Sequence, residues 1–98
     1  MNHSEFLRAF GSVERTEWIA RHGSIISGGG PCVNAHVRTG GMGRKADACW
    51  IVPLTWEEHN ELHQHGAATF EAKYRVNLAD EAARIESEWK REQEGGEF

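Results

Sequence analysis

At 98 residues the chain is long enough for one domain with a modest core and too short for two. Its 39% hydrophobic and 27% charged residues argue against a disordered chain, and the lack of any run of 18 apolar residues argues against a membrane-spanning helix. The net charge of −4 excludes a uniformly basic nucleic-acid binder. The distribution is uneven, however. Between Pro31 and Ala46 the only charged residues are Arg38, Arg44 and Lys45, while acids gather at Glu57, Glu58 and Glu61 and along the C-terminal segment. A locally basic loop on an acidic protein can still hold a phosphate backbone.

Taken in chain order, Ser4 is expected to cap a first helix through Phe6, Leu7 and Phe10, which Gly11-Ser12 ends. A second short helix is expected over Glu14 to His22, with Trp18 and Ile19 facing inward. Gly23 to Pro31 is turn-rich, with a short strand expected at Ser24 to Ile26. Cys32 to Val37 has the length of one strand. A glycine cluster, Gly40-Gly41-Met42-Gly43, separates it from Ala48 to Leu54, an apolar run of strand length. The two should pair as a hairpin.

Thr55, followed three residues later by Glu58, matches a capping box, so a helix is expected from Thr55 to about Gln64, with Gly66 ending it. Ala67 to Tyr74 reads as another short helix. Asn77 can cap a last helix, whose Leu78, Ala82, Ile85 and Trp89 have helical spacing. The tail from Glu94 to Phe98 is expected to fray. The order gives an α+β chain in a single domain, 1–98: a helical segment over 1–22, a hairpin-plus-helix core over 23–66, and C-terminal helices over 67–94.

Cys32 and Cys49 form no Cys-x-x-Cys pair and are expected to be free thiols. The start of the chain lacks a basic stretch followed by an apolar one, so a cytoplasmic location is the expectation. Trp18, Trp50, Trp56 and Phe70 are expected to supply core packing. His22 and His65 are expected at the surface, and His3 in a disordered end.

Four of the six histidines fall between residues 36 and 65. His59 and His63, four apart, share one helix face and can bind one metal. His36 closes the first strand. A strand-loop-strand-helix order can bring all three together at one end.

The runs Asn34-Ala35-His36-Val37, Gly40-Gly41-Met42-Gly43-Arg44-Lys45-Ala46-Asp47 and Val52-Pro53-Leu54-Thr55, followed by His59 and His63, resemble an HNH endonuclease. The resemblance is nearest to small HNH proteins of phages and prophages, of the YbcO and Ref type, and covers roughly residues 18 to 75. It implies a ββα-metal core, a short hairpin followed by a metal-binding helix, with flanking helices at both ends. It implies hydrolysis of DNA phosphodiester bonds in a bacterial or phage-infected cell, with one divalent ion, Mg²⁺, Mn²⁺, Ni²⁺ or Zn²⁺. His36 matches the general base, and His59 and His63 match the metal ligands. Asp47 stands nearest the residue that orients the base, although it also reads as a turn residue. Arg38, Arg44 and Lys45 would grip flanking phosphates.

The chain departs from that pattern in two places. Ala35 stands where many relatives carry a metal ligand. Either Asp47 or water completes the sphere, or His36 is itself a ligand. Many relatives also bind a structural zinc through Cys-x-x-Cys pairs. The matching positions here are Thr55 and Glu58, with Ser24 to Gly28 upstream, so no structural zinc is expected. Cleavage of both strands would require a homodimer or repeated nicking. Two other readings remain at this stage: a catalytically inactive HNH-fold module that binds nucleic acid or protein, and a plain metal-binding structural domain.

Overall fold

The computed structural model describes residues 2–38 and 47–95. Most of the glycine-rich loop, including Arg44 and Lys45, lies outside the described residues. The elements in order are α1 (His3–Phe10), α2 (Val13–His22), β1 (Val33–His36), a 3₁₀ turn (Ala48–Trp50), β2 (Ile51–Leu54), α3 (Trp56–His65), α4 (Ala67–Tyr74) and α5 (Leu78–Gly95).

The chain is α+β, and β1 and β2 form a two-stranded antiparallel hairpin. Val33 pairs with Leu54, Asn34 with Pro53, Ala35 with Val52, and His36 with Ile51. Side chains alternate across a strand. Ala35, Val52 and Leu54 therefore face one core with Leu62 of α3, Phe70 of α4, and Leu78 and Ala82 of α5. Ile51 faces the other way, into a second core with Ile19 of α2 and Ile85 of α5. All four residues of β2 are buried because both faces are covered.

Several caps follow local chemistry. Thr55 Oγ1 accepts the Glu58 N–H, and Glu58 Oε1 accepts the Thr55 N–H at 2.9 Å, which completes the capping box of α3. Gly66, at φ 83°, ends α3 and leads into α4. Asn77 Oδ1 accepts the Asp80 N–H at 2.9 Å and starts α5.

Other expectations are corrected. Asn2, not Ser4, caps α1: its Oδ1 accepts the Glu5 N–H at 2.9 Å, which places His3 inside the helix rather than in a disordered end. Ser24 to Ile26 is a turn, because Ser24 Oγ captures the N–H groups of Ile26 and Ser27. Ile25 still donates to the Pro53 carbonyl at 3.1 Å. Cys32 stays out of β1, since its N–H goes to the Ala20 carbonyl at 3.0 Å.

Ala48 to Trp50 forms a 3₁₀ turn instead of strand. Trp50 N–H turns back to the Asp47 carbonyl at 3.0 Å, while its carbonyl accepts Val37 N–H at 2.9 Å and closes the ladder. Trp56 is 58% exposed rather than core, because it opens α3 beyond the hairpin's end. His22 is half-buried against Glu88 rather than free at the surface. Helix α5 continues through Glu94 to Gly95, where fraying was expected.

Ser24 Oγ also donates to Glu58 Oε1 at 2.5 Å, tying the turn before β1 to the start of α3. Cys32 and Cys49 are both free thiols. Among the described residues, no helix is long and apolar enough to cross a membrane.

Candidate functional site

His36 ends β1 on the hairpin face turned towards α1 and α2. Its neighbour on that face, Asn34, donates from Nδ2 to the Thr16 carbonyl at 3.1 Å. Nε2 of His36 lies 2.7 Å from the carbonyl oxygen of Ala9. A carbonyl can only accept, so Nε2 carries the hydrogen and the lone pair of the neutral ring sits on Nδ1. Ala9 stands in the last turn of α1, where carbonyls have no helical partner. Gly11, at φ 86°, ends the helix there; a Cβ at that position would meet Arg15 Cδ at 2.8 Å. The Phe10 ring packs edge-on against His36, with centroids 5.1 Å apart.

His59 and His63 lie one turn apart on α3. Their Nε2 atoms are 2.9 Å apart and their rings are edge-on at 78°. Two bare lone pairs would repel at that distance, so the gap holds either a shared proton or a shared cation. A metal ion about 2.05 Å from each nitrogen, the usual metal–imidazole length, would subtend about 90° across this gap. That angle suits two neighbouring positions of an octahedral site, so the pair fits a divalent ion. Among the described residues, no group of three or more His, Cys, Asp or Glu is placed to hold a metal, and the pair accounts for two ligands.

Two acids of the helix have different tasks. Glu58 points to Ser24. Glu61 accepts from Lys73 and Tyr74, each at 2.5 Å, and these two groups hold its carboxyl below the usual carboxylate range.

His36 and His63 line one cleft of about 280 Å³, with Leu62 and Ala67 as its apolar wall and Arg38 beside them. The cleft opens where β1 ends and α3 gives way to α4. Arg38 is exposed, and its guanidinium lies 4.8 Å over the Trp50 ring. Asp47 pairs with Arg8 at 3.0 Å and is 61% exposed; the contact that holds Nε2 of His36 comes from Ala9. Arg44 and Lys45 lie outside the described residues.

Sequence reasoning missed Ala9, because a backbone carbonyl has no residue-type signature. The available signal was Gly11, which ends a helix and leaves its last carbonyls seeking donors.

No family model, curated protein or solved structure matches the chain.

Proposed function

We propose that the chain is a metal-dependent endonuclease with a ββα-metal core that hydrolyses phosphodiester bonds of DNA. The observation that carries this reading is the placement of His36 in one cleft with His63 while its Nε2–H is held by Ala9. That hydrogen bond puts the lone pair of the neutral ring on Nδ1, the atom that would act as the base. Nδ1 takes a proton from water as the water oxygen bonds to phosphorus and the bond to the leaving oxygen breaks. The imidazolium so formed keeps its bond to the C-terminal end of α1, where a helix favours positive charge.

His59 and His63 would hold one divalent ion, Mg²⁺, Mn²⁺, Ni²⁺ or Zn²⁺, and this ion supplies Lewis-acid stabilisation of charge on the phosphoryl and leaving oxygens. Arg38 stands beside the cleft, where its planar fork suits a flanking phosphate. One cleft cuts one strand, so a double-strand break needs a homodimer or two successive nicks.

The test is nicking of supercoiled plasmid by purified protein in EDTA, Mg²⁺, Mn²⁺, Ni²⁺ or Zn²⁺, run beside His36→Ala. The expected result is nicking that needs a metal and is lost in the variant. A folded protein that cuts neither duplex, single-stranded nor branched DNA in any of these metals would replace the enzyme with a binding module.

A further inference from the structure

The cleft at His36 and His63 does not stop at Arg38. It shares Val37, Arg38 and Ala67 with a second pocket of about 250 Å³, walled by Trp50, Glu71, Leu78 and Ala79. Trp50 and Ala79 also line a third pocket of about 280 Å³, which runs along α5 to Ala83 and Glu86. The three form one groove leading away from the proposed site of cutting.

Charge decides what the groove can hold. At its mouth the guanidinium of Arg38 lies over the Trp50 ring, a cation suited to a phosphate. Further in, the walls carry acids. Glu71 accepts the Leu78 N–H at 2.8 Å, and Glu86 pairs with Arg15 at 2.7 Å. Arg15 offsets the charge of Glu86, and the Glu71 carboxylate repels a phosphate, so the sugar–phosphate backbone stays at the mouth. A neutral flat ring meets no such barrier. Once Arg38 swings from the Trp50 ring to the phosphate, the indole face it covered is open for stacking, with small alanine side chains that leave room and Glu71 as an acceptor for amino groups.

We propose that the groove beside Trp50 takes an unpaired nucleobase of the strand being cut, with the adjoining phosphate at Arg38, so that single-stranded or flap-bearing DNA is preferred over continuous duplex. A base within a duplex must first be unstacked to reach Trp50, a free-energy cost that an unpaired base avoids. The position of the cut phosphate rests on the nuclease reading above, whereas base stacking is measurable without chemistry.

The experiment titrates a short single-stranded oligonucleotide containing 2-aminopurine, and the same oligonucleotide as a duplex, with full-length protein in EDTA. Stacking on the indole quenches the probe. The single strand is expected to bind about tenfold more tightly than the duplex, and Trp50→Leu and Ala79→Phe are each expected to weaken it by about tenfold and relieve the quenching. Trp50 also packs on the core. Ala79→Phe, at an exposed position on α5, fills the groove without touching that packing, and a thermal melt checks both variants.

Wild-type affinity and quenching in both variants would overturn the proposal, as would equal binding of duplex. A cleavage assay alongside separates the two readings. Metal-dependent nicking with no single-strand preference keeps the nuclease and rejects the base subsite. Trp50-dependent binding of single strands without nicking keeps the subsite and rejects the nuclease.

Discussion

The carbonyl oxygen of Ala9 stands 2.7 Å from Nε2 of His36, so the end of the first helix decides which nitrogen of that imidazole is basic. Substitution of His36 tests this directly. His36→Ala should lower plasmid nicking by at least about 100-fold, the low end for loss of a general base. Metal affinity, measured by calorimetric titration with Ni²⁺ or Zn²⁺, should stay at the wild-type level. A parallel loss of metal affinity would make His36 a ligand instead.

His59→Ala and His63→Ala should each weaken metal binding by more than about tenfold, since each removes one of two imidazoles whose Nε2 atoms lie 2.9 Å apart. Nicking should fall with it and recover in part at higher metal concentration. If activity survives both substitutions at limiting metal, the ion is held elsewhere.

Glu58 should be a stability residue with an acid signature. Burial opposes its ionisation, but hydrogen bonds from Ser24 and Thr55 outweigh this and hold its carboxyl below the usual glutamate range. A carboxylate depressed in the folded state contributes stability above the unfolded pKa and loses it as pH falls through the folded value. Glu58→Gln should therefore cost about 1–3 kcal/mol near neutral pH, and the gap to wild type should close below about pH 4. Urea titrations at several pH values measure both, and a gap that widens in acid would refute the sign.

His22 should act in the opposite sense. Burial lowers its pKa, yet contacts of both ring nitrogens, with Gly23 O and Glu88 at 3.0 Å each, raise it above 6.5 overall despite Arg84 nearby. Only the imidazolium can donate to both acceptors. This contribution is complete below the unfolded pKa and is lost as pH rises through the folded one. Because Glu88 is partly exposed, the effect should stay under about 1 kcal/mol. Thermal melts across about pH 5.5 to 8.5 should show wild type losing more stability than His22→Gln as pH rises; equal slopes would rule the pair out.

Arg15 is only 2% exposed and pairs with Glu86, while its Nη1 has no hydrogen-bond partner among the described residues. Removing the acid strands a buried charge, so Glu86→Ala should cost about 3 kcal/mol. Arg15→Met should cost less, because it removes the charge and keeps much of the packing. Chemical denaturation of the two variants checks the order.

The helical half of the fold was readable because its signals are local. Thr55 and Glu58 cap each other within one turn, Gly66 interrupts α3, and Leu78, Ala82 and Ile85 repeat on one face. The irregular half was harder to read. An apolar run such as Ala48 to Leu54 looks the same whether its first residues form strand or a 3₁₀ turn. The choice depended on where Trp50 sends its N–H. Trp56 looked like core because indoles usually are, and only its position beyond the hairpin exposes it.

The sequence by itself determined the α+β order, the hairpin, and the shared helix face of His59 and His63, because helical period and strand alternation are properties of consecutive residues. Tertiary structure alone decided that Ala9 holds His36, that His36 and His63 share a cleft, and that Arg38 covers Trp50 beside a groove. Those contacts join segments far apart in the chain. They arise from how both faces of β2 are covered, and no local pattern encodes that packing.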